Sequence, residues 1–206
     1  MRIRAKICGI TREQDALAAA ENGADAIGLV FHKPSPRHIS IETAVTIASV
    51  VPPFVTRVGL FVDAEVAAIE AVLGSGCVDL LQFHGNESPE DCRRFGLPYI
   101  KAVAMREGVI LPEIAEHYAD AAGLLVDAYV PGMEGGSGQT FDWSRIPASP
   151  GKPVILAGGL TPENVAEAIH QVRPYAVDVS SGVESSKGIK DAARIATFMR
   201  EVNQSI

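Results

Sequence analysis

The sequence predicts an α/β fold: a single (β/α)8 barrel with eight parallel strands, spanning residues 1–206. Three observations predict it. Short runs rich in Val, Ile and Leu recur eight times along the chain. Segments with helical periodicity follow nearly all of them. The runs are apolar on both faces, as parallel strands covered by helices are.

The elements follow in order. The first run, IRAKICG (3–9), leads into a helix expected from Thr11 to Asn22, opened by a Thr11…Gln14 capping box. ADAIGLVF (24–31) precedes a helix over Ile41–Val50, and FVTRVGLFV (54–62) one over Ala64–Leu73. CVDLLQFH (77–84) precedes Pro89–Phe95, and YIKAVAM (99–105) precedes Leu111–Tyr118. After GLLVDA (123–128), the stretch FDWSRIP has room for only a turn or two. PVILAGG (153–159) precedes Pro162–Val172, and AVDVSSG (176–182) precedes Asp191–Val202. This is the TIM-barrel pattern in a chain close to the minimum length. The competing architecture, an open doubly wound sheet, usually carries GxGxxG after its first strand, and CGITREQ does not match it.

With 206 residues, 47% of them apolar, the chain can bury a sizeable core in one domain. A formal charge of −7 argues against a general nucleic-acid binder. Cys8, Cys77 and Cys92 are widely spaced, which reads as reduced thiols in a cytoplasm and not as a disulfide framework. MRIRAKICGI lacks the pattern of a secretory signal. No run reaches the ~18 apolar residues of a membrane span. The histidines and acids show no metal-ligand spacing, so no metal and no cofactor are expected.

Barrel enzymes build their sites from strand ends and the loops after them. Cys8 ends the first run just before a helix start, and by alternation Lys6 points to the same face. It is either a reactive thiol or an inert buried one. The loop HKPSPRHIS carries Arg37 between stiffening prolines, suited to fork onto a carboxylate or simply to be solvated. Asp63 reads as a helix cap. Gln82 and His84 share a face and line the pocket, with His84 either a hydrogen-bonding wall or a base. Asp127 ends an apolar run, where a carboxyl needs a task or a partner. The Gly-rich loop after it, GGSG (135–138), can bring backbone N–H groups close to a ligand. Gly158 and Gly159, then Ser180, Ser181 and Gly182, follow the last two strands, where barrels commonly bind phosphate beside a short extra helix. SSKGIKD is expected to supply that helix. Asp178 faces the same way as Ser180. A thiol and a carboxyl without a cofactor suit proton transfer, and two anion sites suit a phosphorylated sugar with a second anionic group.

KICGIT, GLVFHKPSPRHIS, LLQFHGNE, LLVDAYVPGMEGGSGQTFDW, ILAGGLTPENV and VDVSSGVESSKGIKD together resemble the motifs of the N-(5′-phosphoribosyl)anthranilate isomerase family, over residues 5 to about 195. Phe83 stands where the family usually has Leu, and Gln139 where Lys is expected, which puts an anion contact in doubt. The resemblance implies a cofactor-free Amadori rearrangement of an aminoaldose to an aminoketose in tryptophan biosynthesis. It implies Asp127 as general acid with a raised pKa and Cys8 as general base with a lowered one. It further implies Arg37 on the anthranilate carboxylate and Asp178 near the anthranilate nitrogen. Gly158, Gly159, Ser180, Ser181 and Gly182, helped by Gly136 and Ser137, would take the phosphate. The partner is then a small phosphoribosyl substrate, with no nucleic acid or membrane, in a monomer or homodimer. Two other readings are a dual-substrate isomerase also serving histidine biosynthesis, and a non-catalytic phosphosugar-binding barrel. The first resembles longer barrels with an Asp base, so Cys8 argues against it; the second would lose the acid–base pair.

Overall fold

The computed structural model describes residues 2–128 and 141–205. Eight strands pair in chain order, each parallel to the next, and the last pairs with the first to close a barrel. They are β1 (Arg4–Cys8), β2 (Ala26–Val30), β3 (Thr56–Phe61), β4 (Leu80–Phe83), β5 (Tyr99–Ala104), β6 (Gly123–Asp127), β7 (Val154–Leu156) and β8 (Ala176–Val179). Between them lie α1 (Glu13–Glu21), α2 (Ile41–Val50), α3 (Val66–Gly74), α4 (Pro89–Arg93), α5 (Leu111–His117) and α6 (Val165–Val172), with α7 (Ala192–Gln204) last. The β6–β7 connection has only a single 3-10 turn, Trp143–Arg145, among its described residues, as the short FDWSRIP stretch predicts. No helix among the described residues is long and apolar enough to cross a membrane.

Alternation along each strand makes two cores. Outward residues such as Ile7, Ile27, Leu29, Phe61, Leu81, Phe83 and Val177 pack with helix residues such as Ile47, Ile69, Ile169 and Phe198. Inward residues Ile100, Ala102, Leu125, Ile155, Ala157 and Ala176 fill the barrel itself. Burial on both faces is why these strands read as continuous apolar runs. Phe83 belongs to the outer layer: its ring lies 6.1 Å from that of Phe95 and edge-on to Tyr99 at 5.7 Å. The larger ring therefore sits against the helices, away from the barrel mouth.

Three local expectations are corrected. Thr11 does not cap α1: the helix starts at Glu13, and the Thr11 hydroxyl donates instead to the Gly188 carbonyl at 2.5 Å. A partner 177 residues away wins over the local box because the β8 loops fold back onto this corner. Asp63 is not the cap of α3, whose N-cap is Glu65. Its backbone sits at φ +44°, and its carboxylate accepts from the Asn86 backbone N–H at 2.6 Å, tying two loops together. SSKGIKD is not helical. It forms a hairpin of β9 (Glu184–Ser186) and β10 (Ile189–Lys190) around Lys187–Gly188, with Gly188 at φ +81°. A two-residue turn needing positive φ favours glycine there. The short extra helix lies just upstream, as one 3-10 turn over Ser181–Val183.

Candidate active site

The C-terminal strand ends surround a cavity of about 1120 Å³. Cys8, Arg37, Gln82, His84, Asp127, Gly158, Gly159, Asp178, Ser180 and Ser181 all line it. Sequence reasoning placed ten residues there that the fold brings together. Gly182 packs behind it: a Cβ at that position would overlap the Leu160 carbonyl oxygen, so the two phosphate-loop candidates are pressed against each other. Gly136 and Ser137, with Gln139 and the GGSG loop, lie outside the described residues.

Cys8 sits at the end of β1 and is 5% exposed. Gly28, its register partner on β2, makes room for the thiol. Lys6, two residues back on the same face, acts on the sulfur through its charge and bonds Asp178 Oδ1 at 2.8 Å. Lys6 and Asp178 are themselves register partners across the β1–β8 seam. Burial pushes the Cys8 thiol above its ordinary value, and the Lys6 ammonium only partly offsets this. The expected lowering is therefore reversed, because water is excluded from the sulfur and Asp178 shares its cation. For Lys6, burial works against the charge, but Asp178 and the thiol outweigh it and the ammonium is held well above the usual lysine range.

Asp127 ends β6 on another part of the wall. Its Oδ1 accepts from the Ala128 backbone N–H at 2.8 Å, and its Oδ2 lies 3.4 Å from His84 Nε2. Gln82 Nε2 stands 2.9 Å from His84 Nδ1. An amide nitrogen only donates, so Nδ1 accepts and the neutral ring carries its proton on Nε2, facing Asp127. His84 is thus a polar neighbour of the carboxyl, 3.4 Å away. Gln82 Oε1, buried in the same wall, has no hydrogen-bond partner among the described residues. The β4–α4 loop that carries His84 is anchored by Lys101, whose ammonium bonds the Gly85 carbonyl at 2.6 Å and Glu87 at 2.9 Å.

The β7 and β8 loops supply backbone. Gly158 is at φ +82°, and a Cβ there would lie 2.6 Å from the Ala128 nitrogen, so the β7 loop passes hard against Asp127's strand end. Gly159, at φ +63°, is held by Asn164 Nδ2 on its carbonyl at 2.9 Å. The N–H groups of Gly159 and Ser181 donate to no described residue, which leaves them for an anion.

Arg37 reaches the cavity from the β2–α2 loop, and its fork is already engaged: Nε and Nη2 lie 2.7 and 2.9 Å from the two oxygens of Glu184. Glu184 also takes Lys190 Nζ at 2.9 Å. Sequence reasoning missed Glu184, Lys190, Glu87 and Lys101. The Glu184–Arg37 separation is 147 residues, so no local pattern links them. The Lys187–Gly188 turn between short alternating stretches was the one available signal for the hairpin that carries Glu184 and Lys190.

Known proteins share the sequence and the fold of this chain. Residues 5–201 match the family model for N-(5′phosphoribosyl)anthranilate (PRA) isomerase. The chain is 58% identical over 203 residues to the N-(5′-phosphoribosyl)anthranilate isomerase of Nitrosococcus oceani, covering 98% of both chains. The Pseudomonas putida enzyme of the same name is 56% identical over 203 residues, with 98% of both chains covered. Among solved structures, phosphoribosyl anthranilate isomerase from Thermotoga maritima superposes with a TM-score of 0.87 at 42% identity, covering 98% of this chain and 99% of that one. A phosphoribosyl anthranilate isomerase in complex with reduced 1-(o-carboxyphenylamino)-1-deoxyribulose 5-phosphate gives a TM-score of 0.87 at 41% identity, with 98% and 99% covered. The chain belongs to the N-(5′-phosphoribosyl)anthranilate isomerase family.

Proposed function

We propose that the chain isomerises N-(5′-phosphoribosyl)anthranilate to 1-(2-carboxyphenylamino)-1-deoxyribulose 5-phosphate, with Asp127 as general acid and Cys8 as general base. One observation carries the assignment of roles: the thiol and the carboxyl face one cavity whose far rim is the open backbone of the β7 and β8 loops. The solved relative that holds a reduced carboxyphenylamino-deoxyribulose phosphate supports the substrate class.

The phosphate sits on the Gly159 and Ser181 N–H groups, with Gly158 and Ser180 beside them. Asp127 gives its proton to the ribose ring oxygen, the C1′–O bond breaks, and the anthranilate nitrogen supplies electrons to form a protonated Schiff base. The Cys8 thiolate then takes the C2′ proton, and the C–H electrons flow toward that iminium to give an enolamine. Tautomerisation of the enolamine gives the aminoketose. A thiol pushed up by burial is sparsely ionised at neutral pH, but its thiolate is the stronger base. The iminium charge and Lys6 both favour the thiolate when it is needed. Arg37 faces the anthranilate carboxylate, and Asp178 reaches the cavity near Cys8 while holding Lys6.

Loss of the fluorescent anthranilate substrate on incubation with the purified chain tests the assignment. Sustained turnover is expected. Tight binding of the substrate with no product on prolonged incubation would instead make the chain a binding barrel, and turnover of the histidine-pathway aminoaldose would widen the activity.

A further inference from the structure

Glu184 is an acid between two cations, the buried Lys190 and the half-buried Arg37. Its side chain is 6% exposed, Arg37's is 11% and Lys190's is 0%. Arg37 meets it side-on, through Nε at 2.7 Å and Nη2 at 2.9 Å. Lys190 Nζ reaches the same Oε1 at 2.9 Å and goes on to the Ser180 carbonyl at 3.0 Å. A guanidinium has five N–H groups in a fixed plane. Two are spent on Glu184. The other three, on Nη1 and the free side of Nη2, meet no described residue and form the end-on edge of the fork. Arg37 also has no freedom to swing the other way. A Cβ on Gly9 would overlap its Cδ, so the stem lies flat on the β1 turn.

We propose that Glu184 is a positioning residue for carboxylate recognition: by gripping the side-on edge of Arg37 it turns the end-on edge into the cavity, and through Lys190 it ties that edge to the Ser180 phosphate loop. This rests on the assignment of Arg37 to the anthranilate carboxylate. A guanidinium can hold two carboxylates at once, one on each edge, and the second then binds bidentately with its direction preset. The triad carries a net single positive charge. Without Glu184 the two cations would face each other with no acid between them. What is lost is the grip on Arg37 that sets its orientation.

The test compares two ligands on the wild-type chain and on Glu184→Gln: the reduced product analogue, and the same analogue without its ring carboxylate. Wild type should prefer the carboxylated ligand. Glu184→Gln should bind it about tenfold more weakly, leave the descarboxy ligand within about twofold, and raise KM more than it lowers kcat. Glu184→Asp, which keeps the charge but withdraws it by one methylene, should fall between the two and still fold if the Gln variant does not. If Glu184→Gln keeps the wild-type preference, or weakens both ligands equally, the positioning role is wrong. If wild type itself shows no preference, or no turnover, the fault lies in the Arg37 or isomerase assignment instead.

Discussion

Gly28 and Cys8 are register partners on β2 and β1, and a Cβ at position 28 would stand 2.6 Å from the Cys8 sulfur and 3.0 Å from its Cα. The thiol occupies the space that a side chain on β2 would take. Gly28→Ala should therefore push the sulfur off its line to the substrate. The expected result is a fall in kcat of at least about tenfold, at a stability cost of about 1–3 kcal/mol, as for overpacking elsewhere. Parallel measurement of kcat and denaturant unfolding checks both. Unchanged kcat would mean the thiol's position is not confined by β2.

Cys8→Ser and Asp127→Asn each remove one member of the proposed acid–base pair with little change in shape. Each should lower kcat by about 10²–10⁴-fold, the usual worth of a positioned acid or base. Substrate binding should stay within a few-fold, since phosphate and carboxylate are held by other groups. Steady-state kinetics with single-turnover controls separate the two effects. Near-wild-type turnover in both variants would remove the pair from the mechanism.

The pH dependence follows from the direction of the Cys8 shift. Burial raises the thiol, with Lys6 opposing and Asp178 adding to the rise. The reactive form is the deprotonated one, so kcat should climb as pH rises through neutrality into the alkaline range. Lys6→Met removes the cation and leaves Asp178 uncompensated, and both changes favour the neutral thiol. That variant's rise should move to still higher pH, while a rise at lower pH would show that Lys6 does not act on the sulfur. Thiolate absorbance in the ultraviolet, titrated in parallel, reads the same group without catalysis.

Lys101 and Glu87 form a buried pair, with side chains 5% and 7% exposed. They hold the loop that carries His84 behind Asp127. Lys101→Met strands the Glu87 carboxylate and should cost about 3–5 kcal/mol. Lys101→Met with Glu87→Gln should recover part of that loss, because no charge is then left buried alone. Urea unfolding of the three variants gives the numbers. A double variant no more stable than Lys101→Met would mean that the loss comes from packing and not from charge.

The barrel was legible because parallel strands buried on both faces leave continuous apolar runs. Candidate residues such as Cys8, Gln82, His84 and Asp127 followed from alternation plus the rule that strand ends make the site. What escaped was set by distant partners. Thr11 looked like a cap because Gln14 stood three residues on, yet a carbonyl at Gly188 took its hydroxyl. The Cys8 shift was misjudged because a neighbouring lysine is visible in sequence, whereas the exclusion of water is a property of the closed fold. Glu184 went unnoticed for a related reason: its meaning depends on Arg37, 147 residues away, which meets the hairpin that carries Glu184 and Lys190 only after folding.

The seam between β1 and β8 carries one more consequence. Lys6 and Asp178 are 172 residues apart and meet only there. A growing chain carries Cys8 and Lys6 almost from the start, long before the strand that brings Asp178 has been made. Until the rest of the barrel docks, Cys8 is an ordinary accessible thiol, open to oxidants and alkylating reagents. Once it docks, the sulfur is sealed to 5% exposure beside its cation. The onset of resistance of Cys8 to alkylation therefore reports when the strands around β1 have packed onto it.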